Sequence, residues 1–154
     1  MPKGFAAWHW QREATFEQLH EVAAELAECI GSRDFCLWLE GDLGAGKTTL
    51  AGALLRDLGL DPEVPVTSPT FTYVNEYDIN GLWYAHLDLY RIDGFCDLED
   101  FGFLDVHPCS GMIIEWADRL RWPPAVYPTH LVRIESDSSN PDFKRLFSLA
   151  KAST

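Results

Sequence analysis

The sequence predicts a single α/β domain over residues 1–154, with a mixed, mostly parallel sheet flanked by helices. Three observations carry that expectation. Segments with a three-to-four-residue apolar period alternate with short β-prone runs, the pattern of a layered α/β domain. One run, Phe35-Cys36-Leu37-Trp38-Leu39, is continuously apolar, as a strand covered on both faces requires. It leads into a glycine-rich loop and then a second helical pattern. A chain of 154 residues, 47% hydrophobic, is also long enough to enclose one real core.

The elements follow in order. Phe5 to Gln11 is aromatic and apolar enough for a short strand. Thr15 opens a helix in which Phe16, Leu19, Val22, Ala23, Leu26, Ala27 and Ile30 recur at three- and four-residue steps. Thr15 with Gln18 fits a capping box, and Gly31 suits the helix end. After the strand at Phe35 comes the loop 41–49, then a helix over Leu50 to Leu58 that Gly59 stops. Pro62, Pro65 and Pro69 lack backbone donors, so residues 59–69 are expected to be a loop. Phe71 to Tyr77 and Leu82 to Leu89 flank a turn at Asp78 to Gly81 and form a hairpin candidate. Asp97 to Phe103 reads as a short amphipathic helix, and Gly111 to Ile114 as a buried strand ending on Glu115. A loop carrying Pro123, Pro124 and Pro128 precedes a strand from His130 to Ile134. A polar turn over 136–142 then precedes an edge strand from Arg145 to Leu149.

Charge narrows the function. Twelve basic and 24 acidic residues give −12. Nucleic acids are gripped by cations that neutralise phosphates, so this chain is not expected to hold RNA or DNA unaided. No run of 18 apolar residues predicts a membrane span. The opening residues, Met1 to Arg12, lack an apolar signal core. Cys29, Cys36, Cys96 and Cys109 contain no CxxC pair, which argues against a disulfide framework or a structural zinc site. His107-Pro108-Cys109 reads as a turn. A cytoplasmic protein with reduced thiols is expected.

The strong motif is Gly41-Asp42-Leu43-Gly44-Ala45-Gly46-Lys47-Thr48, which fits G-x-x-x-x-G-K-[ST] without a mismatch. Its place between a buried strand and a helical run is the context the motif requires. A loop that wraps phosphate must turn its amide hydrogens inward, and glycines at 41, 44 and 46 allow that backbone. The following helix adds its positive N-terminal end. Lys47 is expected to reach the β- and γ-phosphates and Thr48 to ligate magnesium. The motif in this context predicts a P-loop NTPase-like domain. The base-reading N/T-K-x-D tetrapeptide of guanine-specific enzymes does not occur, so ATP is the expected nucleotide.

Magnesium held by one hydroxyl needs a carboxylate at a neighbouring strand end. Asp88, after Ala85-His86-Leu87, and Glu115, after Met112-Ile113-Ile114, are the candidates. Spacing alone leaves open which binds metal and which orients water. Thr67-Ser68-Pro69-Thr70-Phe71 lies between the two and is rich in hydroxyls, as a segment that senses a γ-phosphate would be. His86 could serve as a base, but its alternating strand favours a structural histidine.

Four blocks resemble, in order and with compatible gaps, the bacterial TsaE family, the small ATPases of tRNA threonylcarbamoyladenosine biosynthesis. They are Gly41 to Thr49, Ser68-Pro69-Thr70-Phe71-Thr72 with Val74-Asn75-Glu76-Tyr77, His86-Leu87-Asp88-Leu89-Tyr90-Arg91, and Ile114-Glu115-Trp116. The resemblance implies ATP and magnesium binding, and slow hydrolysis when the protein is alone. It implies work with TsaB and TsaD, which place a threonylcarbamoyl group on the adenosine beside the anticodon. The role would be to support or reset that complex, meeting tRNA only through it. By motif position, Gly41, Asp42, Leu43, Gly44, Ala45, Gly46, Lys47, Thr48 and Thr49 would bind the nucleotide. Thr48 with Glu115 and Asp88 would form the metal set, and Lys47, Asp88 and Thr70 would serve hydrolysis. Trp116 would lie beside the metal carboxylate and Thr15 near the adenine. Ala117 departs from the proline common after Glu-Trp, and the tail from 123 to 154, with Lys144 and Arg145, matches poorly.

The acidic balance suits a subunit that meets a basic partner surface. Phe71, Tyr73, Tyr77, Tyr84, Tyr90 and Trp116 are of the type enriched at interface anchors, although each singly reads as core. Two other functions compete. A small-molecule kinase would need an arginine-bearing lid, and the basic residues after Arg56, among them Arg91, Arg119, Arg121, Arg133, Lys144 and Arg145, form no such segment. A nucleotide-binding scaffold without turnover has the same sequence signature as a slow ATPase.

Overall fold

The continuous apolar run becomes the centre of the sheet. The computed structural model describes residues 2–69, 72–102, 104, 108–136 and 144–153. Among them lie β1 (Phe5–Ala14), β2 (Phe35–Glu40), β3 (Val74–Ile79), β4 (Leu82–Asp88), β5 (Gly111–Glu115), β6 (His130–Ser136) and β7 (Arg145–Ala152). Two α-helices, α1 (Leu19–Ile30) and α2 (Lys47–Asp57), accompany them. The strands form one sheet in the order β1-β7-β6-β2-β5-β4-β3. The central four, β6, β2, β5 and β4, run parallel. The pairings β6–β7, β7–β1 and β4–β3 are antiparallel. The sheet is mixed, with its parallel part where the phosphate motif leaves it.

Side-chain alternation splits the core between two faces. Phe35, Leu37 and Leu39 of β2 and Ile113 of β5 face α1 and α2, with Val132, Ile134, Phe147 and Leu149 beside them. The helices meet that layer, and each other, through Leu19, Val22, Ala23 and Leu26 of α1 and Leu50, Ala51, Leu54 and Leu55 of α2. Each such leucine, fully buried, contributes about 1.5–3 kcal/mol. On the opposite face Cys36, Ala85, Leu87, Met112 and Ile114 are covered by short irregular segments through Leu98, Ala117 and Leu120.

The capping residues act as their pattern requires. The Thr15 backbone N–H donates to Gln18 Oε1 at 3.1 Å. The first turn, Phe16–Gln18, is a 3-10 turn, and the α-helix proper begins at Leu19. The second helix starts at Lys47, three residues before its apolar pattern begins.

Other expectations need correction. Arg145 to Leu149 is not an edge strand: β7 extends to Ala152 and lies between β6 and β1. The edge belongs instead to β1, ten residues long, and to β3. β7 is interior because Phe147, Leu149 and Ala150 are each buried, and polar Ser148 is satisfied by Gln11 Nε2 at 3.0 Å. The helix expected over 97–103 is a single 3-10 turn, Leu98–Phe101, which Gly102 stops in a left-handed conformation at φ 75°. The first hairpin strand starts at Val74, and Phe71 lies outside the described residues. No helix among the described residues is long and apolar enough to cross a membrane.

Candidate functional site

The site forms where β2, β4 and β5 end together and α2 begins. β2 stops at Glu40, and the chain turns through the motif into the first residues of α2. Gly46 caps α2 at φ 109°, where L side chains are strained. A Cβ there would also stand 2.6 Å from Cε1 of Phe16. Gly46 is therefore required twice, by its dihedral and by the ring that lies on it.

Alternation on β4 and β5 aims the acids. The parallel register sets Asp88 beside Glu115 and His86 beside Ile113. Ile113 and Tyr84 face the helices, so Glu115, His86 and Asp88 emerge on that same side. Thr48 is the second residue of α2. Its hydroxyl donates to Glu115, with Oγ1 3.0 Å from Oε1 and 2.9 Å from Oε2. Glu115 is only 2% exposed, and its Oε2 also lies 2.5 Å from His86 Nε2. Asp88 answers to other donors: the Ser68 hydroxyl and, at 3.0 Å, the Tyr90 backbone N–H.

Lys47 is buried, with its amine donating to the carbonyl oxygens of Gly41 (2.5 Å) and Asp42 (3.0 Å). The same Nζ lies 4.2 Å from the ring centroid of Trp116, a cation–π contact. Trp116 in turn packs on Tyr90 at 4.9 Å. Burial pushes the Lys47 amine below its ordinary pKa, and Glu115, Asp88, Asp42 and Asp118 oppose that by attracting its charge.

A cleft of about 490 Å³ opens over these groups. Leu43, Gly44, Gly46, Lys47, Thr48 and Thr49 form its floor, and Ser68, Asp88, Arg91, Glu115 and Trp116 contribute to its walls. Gly41 and Asp42 lie behind the loop instead, in a second cavity that shares Lys47 and Trp116 with the cleft. Ala45 is buried and donates its backbone N–H to the Asp42 carbonyl at 2.9 Å. The structure thus brings together Lys47, Thr48, Thr49, Asp88, Glu115 and Trp116. Thr15 caps the helix and does not line the cleft. Thr70 lies outside the described residues, as does His107.

One cleft residue escaped the sequence reading. Phe16 carries an apolar helical period, yet it is 43% exposed at the cleft over Gly46. Arg145, from the poorly matching tail, lays its guanidinium carbon 3.8 Å from the Phe16 ring centroid and is itself buried. Nothing local in the sequence marks that pair, because residues 16 and 145 meet only through β1–β7 pairing.

The donor set suits magnesium. Thr48 and Glu115 offer hard oxygens already within 3.0 Å of each other. No group of three His, Cys, Asp or Glu that could cage a metal occurs among the described residues. A cation bound here would take its remaining ligands from water and phosphate, the ligand set that magnesium takes.

The chain is similar to known proteins in sequence and in fold. The family model described as "Threonylcarbamoyl adenosine biosynthesis protein TsaE" matches residues 13–146. The chain is 39% identical over 106 residues to the tRNA threonylcarbamoyladenosine biosynthesis protein TsaE of Nostoc sp., covering 66% of this chain and 64% of that one. It is 39% identical over 105 residues to the protein of the same description from Aquifex aeolicus, covering 67% and 72%. The matched stretches thus span about two thirds of these curated relatives. The crystal structure of Bacillus subtilis YdiB superposes with a TM-score of 0.63 over 96% of this chain and 89% of that one, at 24% identity. That likeness shows a shared fold.

Proposed function

The chain belongs to the TsaE family, and from that premise we propose that it is an ATP-binding, slowly ATP-hydrolysing subunit for threonylcarbamoylation of tRNA. It would act in the cytoplasm with TsaB and TsaD, supporting or resetting their complex, and meet tRNA only through them. The observation that carries the nucleotide reading is the pairing of Thr48 with Glu115, a motif hydroxyl and a strand-end carboxylate within 3.0 Å at a phosphate-binding loop.

In this reading the amides of residues 43–48 and the N-terminus of α2 cradle the phosphates. Lys47 exchanges the Gly41 and Asp42 carbonyls for phosphate oxygens. Thr48 and Glu115 hold magnesium, which would supply neutralising charge to the β- and γ-phosphates when bound. Asp88, fixed by Ser68 and the Tyr90 amide, orients the attacking water. Phe16 offers a ring at the cleft mouth against which a base can lie. Among the described residues Arg91 is the arginine that lines the cleft, which favours hydrolysis over a kinase with an arginine-rich lid.

Calorimetry with ATP and magnesium tests the binding, with Lys47→Ala as control. Loss of measurable binding in the variant is expected, and retained micromolar affinity would overturn the phosphate assignment. ATP-dependent co-migration with purified TsaB and TsaD on a sizing column tests the partnership. Loss of threonylcarbamoyladenosine from tRNA after depletion of the protein tests the pathway.

A further inference from the structure

His86 is fully enclosed, yet it lies behind the cleft wall and lines none of it. On β4 it shares a face with Tyr84 and Asp88, and its ring reaches across to the next strand, where Nε2 stands 2.5 Å from Glu115 Oε2. Its other nitrogen, Nδ1, is buried without a hydrogen-bond partner. A carboxylate only accepts, so the bond to Glu115 uses a proton on Nε2, and Nδ1 is left without a partner. Ile113 stands beside it in register and Tyr84 precedes it on the same face, both buried. In a strand so apolar, a ring with one nitrogen unsatisfied is costly for packing alone. The bond to Glu115 is what the ring provides.

We propose that His86 is a positioning residue for Glu115: its Nε2–H pins Oε2 so that the carboxylate stays turned to Thr48 at the magnesium position. The inference rests on the reading of Glu115 as a metal ligand. Ligating carboxylates depend on such outer partners, whose removal weakens metal affinity by about 10- to 100-fold. The alternative orientation has a clear attractor. Lys47 is already drawn electrostatically to Glu115. A carboxylate released by His86 would be drawn toward that amine and away from the metal position, while Lys47 keeps the loop carbonyls of Gly41 and Asp42.

The test separates position from packing. His86→Phe keeps a flat ring and removes the donor. His86→Asn keeps a polar side chain whose amide stops short of Glu115. His86→Gln restores an N–H at about the reach of Nε2. Binding of a non-hydrolysable ATP analogue is measured by calorimetry with magnesium and with EDTA, manganese binding by paramagnetic resonance, and folding by thermal melts. The Phe and Asn variants should keep the EDTA affinity within about twofold and lose about tenfold or more of the affinity that the metal adds. The Gln variant should recover most of it. A folded Phe variant with the wild-type metal effect overturns the proposal; if it does not fold, the same result from the Asn variant does so. Wild-type protein that shows no metal-dependent nucleotide binding would instead defeat the underlying ATP reading.

Discussion

Asp88 and Glu115 stand side by side in register at the ends of β4 and β5, yet their carboxylates are held by different donors. Glu115 is buried under Thr48 and His86. Asp88 is tied to Ser68, in the segment leading to Thr70, and to the amide of Tyr90. Spacing in the sequence names both without assigning the metal, and the fold gives them different surroundings.

That separation predicts unequal losses. Glu115→Ala should weaken magnesium-dependent ATP binding by about 10- to 100-fold. Asp88→Ala should leave binding within about threefold and slow hydrolysis by about 100-fold or more, the scale of a lost proton-handling group. Calorimetry and phosphate-release assays on the two variants check this. Equal and negligible effects would sink the two-carboxylate scheme.

The P-loop glycines offer a graded pair. Gly44 has φ 81° and nothing within 4 Å of an added Cβ, so Gly44→Ala introduces dihedral strain alone, about 1 kcal/mol. Gly46→Ala adds the collision with Phe16. It should lower the melting temperature further and weaken ATP binding at least tenfold. Phe16→Ala in the Gly46→Ala background should return part of the stability. If the double variant melts no higher than Gly46→Ala alone, the ring is not the obstacle.

What could be read from sequence was what is decided locally. The loop 41–48, its leading strand and the Thr15–Gln18 cap are short-range features, and each stands in the structure. Asp88 and Glu115 could be named as candidates because each closes an apolar run, but their different donors arise from pairing across 27 residues. The position of β7 was misread for the same reason: its partners are residues 5–14 at the far end of the chain. Asp97 to Phe103 spans under two helical turns, too short for its apolar pattern to distinguish a helix from the 3-10 turn observed. The Phe16–Arg145 contact depends on that same β1–β7 register and leaves no trace in spacing.

The third prediction concerns pH. His130 on β6 is paired in register with Lys151 on β7. Burial, then Lys151, then His9 hold the His130 pKa below its ordinary value. His9 is lowered as well, by burial and by Lys151. A lowered folded-state pKa means that the unfolded chain binds more protons between the two values, so stability rises with pH across that window. The stabilisation is complete above about pH 6.5, the unfolded value, and is lost as pH falls toward the folded pKa. Urea titrations between pH 7.5 and 5 should show stability falling, with a flatter slope in His130→Gln. An unchanged slope in that variant would remove His130 as a source.

Trp116 gives the last prediction. It holds φ 58°, uncommon for a bulky side chain and costing on the order of 1–3 kcal/mol. Its ring covers the Lys47 amine at 4.2 Å and packs on Tyr90. Strain at that position is retained for where the ring must sit. Trp116→Gly relieves the backbone and uncovers the amine, which then carries water that ATP must displace. The expected outcome is a melting temperature that falls less than loss of so large a ring implies, with ATP affinity, read by calorimetry, measurably weakened. Trp116→Phe, which keeps an aromatic face, should stay closer to wild type. Should the glycine variant bind ATP as tightly as the parent, the ring would be a packing residue and its strained backbone would need another cause.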